Sequence, residues 1–111
     1  MATSYKVLGQ VATATLGAAT EGTLYTAAAP AIVSSLTICN QAATAATYRI
    51  AVRPAADSST AAKHWFVYGA TVAGSDSTIL TAGLTLAVGD KIQVYASTNT
   101  ISFSAFGSEL A

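Results

Sequence analysis

The sequence predicts an all-β, single-domain protein, an antiparallel β-sandwich or jelly-roll-like fold of about eight short strands over residues 1–111. Three observations predict it. Apolar and polar residues alternate with a period of two, β-branched and aromatic residues concentrate in these alternating segments, and turn residues separate them at roughly 8–12-residue intervals. A chain of 111 residues suffices for one hydrophobic core and is too short for two.

Small residues separate the predicted strands of the first half of the chain. These strands cover residues 4–11, 22–26, 32–40 and 47–53. Residues 12–20 are rich in Ala, Thr and Gly and are predicted to form a loop. Pro30 has no backbone N–H, so residues 27–30 are predicted to be a connection and not a central strand.

Strict alternation also assigns each side chain in these strands to one face of the sheet. In the first strand it places Tyr5 on the same face as Val11. In the third strand it places Ile32 on the face of Leu36, and Val33 on the opposite face.

The second half of the chain continues the same pattern. Its predicted strands cover residues 63–70, 77–80, 91–97 and 101–106, and Leu84, Leu86 and Val88 alternate with polar or small residues before a turn at residues 89–90. Residues 54–62 are the most polar stretch and are predicted to form an exposed loop. The Ala-rich segments are interleaved with Thr and Gly and lack a period of 3.6, so we expect no helix in them.

The chain carries few charges, and they cancel. Charged residues make up 9% of it, with five acidic and five basic side chains, against roughly 25% charged residues in ordinary soluble proteins. There is no basic patch of the kind that binds nucleic acid. Surfaces rich in Ala, Thr and Ser lose little side-chain entropy when they are ordered at an interface. The composition favours a subunit in constant contact with other chains, although an Ala/Thr bias of the genome would also produce it.

Cysteine usage and hydropathy place limits on the location of the protein. Cys39 is the single cysteine, so no internal disulfide is possible, and we expect it to behave as a small buried apolar group. The first residues lack the basic and apolar regions of a signal peptide, and no apolar run approaches the ~20 residues that span a bilayer. We therefore expect synthesis in a cytoplasm and no membrane partner.

The residues for catalysis or for metal binding do not form a recognisable set. His64 is the single histidine and lies in an apolar segment, where we expect it to pack beside Trp65 and Phe66. One His, one Cys and five scattered carboxylates supply no metal-binding motif. The sequence contains neither a Gly-x-Ser-x-Gly nucleophile elbow nor a phosphate-binding glycine loop. We predict a protein that is not an enzyme and has no cofactor.

Several side chains are candidates for contact with a partner chain. Arg49 and Arg53 share the outward face of one strand, where arginines pair with a neighbour's acids, remain solvated, or bind an anion. Alternation separates Trp65 from Phe66, so at least one aromatic side chain of that strand must face outward. Tyr and Trp are frequent at interface hot spots. The candidate interface residues are Arg49, Arg53, Lys63, His64, Trp65 and Tyr95.

Seven segments together resemble a known protein family over essentially the whole chain. They are Tyr-Lys-Val-Leu-Gly-Gln at 5–10, Leu-Tyr-Thr at 24–26, Ser-Ser-Leu-Thr-Ile-Cys-Asn at 34–40, Thr-Tyr-Arg-Ile-Ala-Val-Arg-Pro at 47–54, Lys-His-Trp at 63–65, Val-Tyr-Ala-Ser at 94–97 and Phe-Gly-Ser-Glu at 106–109. In these segments the chain resembles a family of small virion structural proteins of tailed bacteriophages that infect cyanobacteria and marine bacteria.

The resemblance implies a protein assembled in many copies into a phage particle in the bacterial cytoplasm. A capsid decoration (cement) protein on the capsid exterior, a homo-oligomer (as a trimer) bound to the major capsid protein, fits this class best. The alternative is a tail, baseplate or fibre component, including a receptor- or carbohydrate-binding module with an exposed aromatic platform at Trp65 or Tyr95. In either case, residues 4–11 and 101–110 are candidates for pairing with a strand of a neighbouring chain.

Overall fold

A computed structural model describes residues 3–81 and 83–110, and over these residues the chain forms nine strands in two antiparallel sheets. The predicted all-β sandwich is confirmed. Sheet A contains β1 (Thr3–Ala12), β3 (Ala31–Asn40), β6 (Ser77–Leu80), β7 (Leu84–Leu86) and β9 (Ile101–Leu110). Sheet B contains β2 (Gly22–Thr26), β4 (Ala46–Arg53), β5 (Trp65–Val72) and β8 (Lys91–Ala96).

The strand order decides which edges are open to other chains. In sheet A, β9 lies between β1 and β3, while β6 and β7 both pair with the other side of β3. In sheet B the order is β2-β8-β4-β5. Both sides of β9 are occupied, so the expectation that residues 101–110 pair with a neighbouring chain is wrong. Strand β1 lies at the edge of sheet A.

Two short helical segments lie where the sequence predicted loop or strand. A single helical turn, α1 (Thr13–Leu16), follows β1. Its buried Thr13 hydroxyl donates to the carbonyl of Ile101 and accepts from the N–H of Ile101, each at 3.0 Å. A 3₁₀ turn over Ala62–His64 precedes β5, so that strand begins at Trp65 and not at Lys63. Within the described residues, neither helical segment is long and apolar enough to cross a membrane.

Side chains from both sheets interlock to form one core. Sheet A contributes Val33, Leu36, Ile38, Phe103 and Ala105, and sheet B contributes Tyr48, Ile50, Ile92, Val94 and Ala96. The rings of Tyr48 and Phe103 meet edge to face across the two sheets, with centroids 6.4 Å apart. Burial of each large apolar side chain stabilises the fold by about 1.5–3 kcal/mol.

Single-residue β-bulges interrupt the strand pairing at five places in the described residues. The extra residues, inferred from the shifts in register, are Leu8, Leu24, Ser34, Phe66 and Gly69. Because successive side chains in a strand alternate between faces, one extra residue moves every later side chain to the opposite face.

The bulges explain why strict alternation assigned some side chains to the wrong face. Beyond the bulge at Ser34, Val33 is fully buried and Ile32 is 52% exposed, so these two residues do not follow the alternation of Leu36. In β1, Tyr5 is 86% exposed, whereas Val11 lies beyond the bulge and packs against the core. Tyr5 and Ile32 therefore lie on the outer face of sheet A.

Asn40 joins three loops at one end of the sandwich. Its side chain is buried. The Nδ2 group donates to the carbonyls of Thr44 and Ala73 at 2.8 and 3.3 Å. The Oδ1 atom accepts from the N–H of Ala42 and from the hydroxyl of Thr100, both at 3.1 Å. One amide thereby satisfies polar groups from the loops after β3, β5 and β8.

At the opposite end of β3, a carboxylate joins the two sheets. Glu109 on β9 is mostly buried and pairs with Nζ of Lys6 on β1 at 2.5 Å. It also accepts a hydrogen bond from the hydroxyl of Tyr25 on β2, in the other sheet. Hydrogen bonds from Lys6 and Tyr25 hold the pKa of Glu109 below its ordinary value of 4.5. Burial, together with the neighbouring carboxylate, raises the pKa of Tyr25.

Replacement of Asn40 tests whether the amide holds the loops together. Asn40→Ala leaves several buried polar groups without partners, and we expect it to lower the free energy of unfolding by about 3 kcal/mol. The control Asn99→Ala removes an exposed amide from a neighbouring turn. It should change the free energy of unfolding by less than about 0.5 kcal/mol. Chemical denaturation measures both. Equal effects of the two variants would show that Asn40 has no special role.

The lowered pKa of Glu109 predicts an acid-dependent loss of stability. The group is more acidic in the folded chain than in the unfolded chain, so its contribution is present above pH 4.5 and is lost as the pH falls further. Denaturant titrations from about pH 5 to about pH 3 should show a steeper loss for the wild type than for Glu109→Gln. Lys6→Met, which removes the largest cause of the shift, should also flatten the profile. Parallel profiles for the wild type and Glu109→Gln would contradict this.

Candidate interaction site

Two bulges in β5 bring Trp65 and Tyr68 to the outer face of sheet B. Trp65 pairs with Ala51 of β4, and Tyr68 pairs with Arg49, with Phe66 and Gly69 as the extra residues. Gly69 has a φ of +76°, a conformation that favours glycine. The Trp65 and Tyr68 rings meet edge to face with centroids 5.9 Å apart. At least one aromatic side chain of this strand does face outward, as alternation required.

Arg49 lies between two tyrosine rings on this face. Its guanidinium carbon is 4.1 Å from the ring centroid of Tyr68 on β5 and 4.1 Å from that of Tyr95 on β8. Both contacts follow from register, because Arg49 of β4 is the direct partner of each tyrosine. We refer to Arg49, Trp65, Tyr68 and Tyr95 as the aromatic–arginine cluster.

Arg49 has no acidic partner in the part of the chain that the structure describes. The ion pairs there are Lys6–Glu109 and His64–Asp57, and no hydrogen bond joins the Arg49 guanidinium to another described residue. Its N–H donors form a planar fork that matches a carboxylate. The flanking rings fix the orientation of the guanidinium and shield it from water on both sides. The cluster is therefore suited to binding a carboxylate from outside the chain.

Arg53 belongs to a different network, which holds the 54–62 loop against sheet B. Its Nη1 donates to the Thr60 hydroxyl at 3.3 Å, and that hydroxyl donates to the Glu21 carboxylate at 2.5 Å. Nε2 of Gln93 donates to the same carboxylate at 2.7 Å. The buried Nε of Arg53 has no partner among the described residues. The side chain of Arg53 thus stabilises the loop that borders the cluster.

His64 lies beneath the surface and also holds this loop. It is 6% exposed and lies in the 3₁₀ turn, not in the strand beside Trp65 as expected. Its Nδ1 accepts from the N–H of Ala61 at 2.8 Å, which leaves Nε2–H to donate to Asp57 at 2.9 Å. Both ring nitrogens are engaged, so His64 is available neither as a partner contact nor as a base. The neighbouring Lys63 is exposed.

A shallow cleft adjoins the cluster on the side of the loop. It is lined by Trp65 and Tyr68 and by Thr60, Ala61 and Ala62. Tyr68 is 65% exposed, whereas Trp65 is half-buried. The cleft thus combines two aromatic side chains with a threonine on the polar loop.

The described residues contain no group of three or more His, Cys, Asp and Glu side chains that could hold a metal ion. Cys39 is half-buried on the outer face of sheet A, opposite Ser77 and Ser102, and is less buried than expected.

Two features of the surface were not singled out by the sequence. Tyr68 was not among the candidate residues, although the glycine that follows it inside a strand pattern is a signal for a bulge. The exposed apolar side chains on the outer face of sheet A were also missed, because strict alternation placed Ile32 with core residues. No comparable glycine marks the bulge at Ser34.

Comparisons with known proteins do not assign the chain. No protein-family model matches it, and no curated protein matches it either.

The stacking of Arg49 predicts a measurable contribution to stability. Arg49→Ala removes two cation–π contacts and should lower the free energy of unfolding by about 1.5 kcal/mol. It should also weaken the near-ultraviolet circular dichroism of the tyrosines, because Tyr68 and Tyr95 lose the group between them. The control Lys63→Ala removes an exposed cation and should have little effect on either measurement. Indistinguishable results for the two variants would contradict the stacked arrangement.

Proposed function

We propose that this chain is a structural protein of a tailed-bacteriophage virion, and that it works as a capsid decoration protein that bridges and stabilises major capsid subunits. The family resemblance of the sequence supports the virion assignment. The single observation that supports docking to another protein is the aromatic–arginine cluster. Tyr, Trp and Arg are the residue types most enriched at interface hot spots, and here they are adjacent on one face.

The cluster suggests how the contact is made. A carboxylate of the capsid subunit pairs with the guanidinium of Arg49, and the rings of Tyr68 and Tyr95 exclude water from the pair. An arginine buried at an interface without an acid would be unfavourable. The docking surface must therefore supply the acid that the described part of this chain does not offer to Arg49.

Stabilisation of a shell requires only a weak contact from each copy. When many copies bind neighbouring capsid subunits at the same time, individually modest contacts give strong retention. The interlocked core makes the sandwich a rigid spacer, so load passes between subunits without deforming it. The charge-poor surface fits a protein that is covered by neighbours after assembly.

Charge reversal at Arg49 tests this proposal in purified particles. We expect hundreds of wild-type copies per particle, located on the capsid exterior in a particle reconstruction. Arg49→Glu places a negative charge opposite the proposed acid and should lower the retained copy number at least about tenfold. The control Val88→Glu introduces an acid outside the cluster, at a residue that is 58% exposed in the turn between β7 and β8, and it should leave the copy number unchanged. Quantitative mass spectrometry of particles measures both.

Two outcomes would overturn the proposal. If the chain is absent from purified particles, it is not a virion protein. If Arg49→Glu particles retain the wild-type copy number, the aromatic–arginine cluster is not the docking site.

A tail, baseplate or fibre component that binds a receptor or carbohydrate is the second candidate. The cleft beside Trp65 and Tyr68 favours it, because exposed aromatic rings next to polar loop groups suit the apolar face and hydroxyls of a sugar. The copy-number measurement separates the two candidates, since the single tail of a particle offers far fewer positions to a baseplate or fibre component than the capsid surface offers to a decoration protein.

A further inference from the structure

The outer face of sheet A, on the opposite side of the molecule from the cluster, carries no Asp, Glu, Lys or Arg among the described residues. Lys6 and Glu109 pair with each other on the core side of this sheet. The other charged residues lie on strands of sheet B or in loops: Arg49, Arg53 and Lys91 on strands, and Glu21, Asp57, Lys63, Asp76 and Asp90 in connecting segments. A whole sheet face without charge is unusual for a protein surface exposed to water.

Part of this uncharged face is a continuous apolar surface, the outer strip, formed by Tyr5, Val7, Ile32 and Phe106. Val7 is the direct partner of Phe106 across β1 and β9. Tyr5 and Ile32 flank Ser108 of β9 from its two sides. Tyr5, Val7 and Ile32 are 86%, 50% and 52% exposed. The side chains are neighbours on one surface and are not scattered.

The outer strip is a product of the bulges. Without the extra residue at Ser34, alternation would put Ile32 on the core side together with Leu36. The extra residue at Leu8 likewise separates Tyr5 from the core-facing Val11. Two separate bulges thus turn apolar side chains of β1 and β3 to the same outer surface.

We infer that a second copy of this chain packs on the outer face of sheet A, face to face, about a two-fold axis. An uncharged face cannot form ion pairs with a charged partner. Two uncharged faces, by contrast, meet without charge repulsion and without desolvation of ions. The side chains around the outer strip are mainly Ser and Thr, which lose little entropy on contact. The formal net charge of the chain is zero, so two copies do not repel each other at long range.

The size of the face is sufficient for a stable pair. Sheet A is four strand positions wide and its long strands have ten residues. With strands about 4.8 Å apart and a rise of about 3.3 Å per residue, the face measures roughly 19 by 33 Å, or about 630 Å² per copy. A pair would bury about 1,250 Å², above the roughly 1,000 Å² expected of a specific interface.

Sedimentation velocity of the isolated full-length chain tests this inference. Over chain concentrations from about 1 to about 100 μM, we expect the wild type to form a dimer. Ile32→Lys and Tyr5→Lys each place a charge in the outer strip and should weaken dimerisation at least about tenfold. The control Val88→Lys makes the same change at a residue that is 58% exposed in the turn between β7 and β8, and it should dimerise as the wild type does.

Far-ultraviolet circular dichroism establishes that each variant is folded. If Ile32→Lys unfolds, Tyr5→Lys decides, because a side chain that is 86% exposed contributes little to the fold of one copy. A wild type that stays monomeric over the whole range overturns the inference. So does any assembly, a trimer included, whose size the lysine variants leave unchanged. The measurement uses only the isolated chain, so its outcome is independent of the virion assignment.

Discussion

A side chain in an antiparallel strand can change faces only where the strand gains or loses a residue, and in its described part this chain gains one at five places. Core residues such as Tyr25 and Val33 lie beside bulges, and both candidate interaction surfaces carry side chains that a bulge turns outward. In β5, the extra residue Phe66 puts Trp65 on the same face as Tyr68, and the extra residue Gly69 turns Tyr68 away from the core-facing Ala70. In β3, the extra residue Ser34 turns Ile32 outward. The same local irregularity thus creates an aromatic, cationic face on sheet B and an uncharged apolar face on sheet A.

The hydrogen bonds of two polar side chains, Asn40 and Glu109, hold the two sheets in a fixed position relative to each other. Asn40 and Glu109 lie near opposite ends of β3, since Asn40 pairs with Ile101 while Glu109 pairs with Ala31. Asn40 satisfies the loops at its end, and Glu109 receives hydrogen bonds from both sheets at the other. Between them lies the close-packed core. Rigid faces lose little conformational entropy when they bind, so contacts of modest size suffice for association.

The sequence predicts the strands well and their irregularities poorly. Where no bulge intervenes, alternation assigns the correct faces: Ile101, Phe103 and Ala105 are all buried, as their spacing predicts. Bulges are decided by tertiary pairing, and of the five extra residues only Gly69 carries a local signal. The stacking of Arg49 between two tyrosines depends on the register of three strands, and the hydrogen bonds of His64 depend on a loop. Neither is encoded in the spacing of nearby residues.

The central position of β9 has a consequence for how the chain folds during synthesis. Among the residues that the structure describes, strand β1 pairs with β9 alone, and about 90 residues separate Ala12 from its partner Ser102. At about 5–20 residues per second, a ribosome needs roughly 5–18 s to add that segment, and β1 has no sheet partner during this time. Sheet A can therefore close only after β9 has emerged, and until then the backbone N–H and C=O groups of β1 remain open to pairing with other strands.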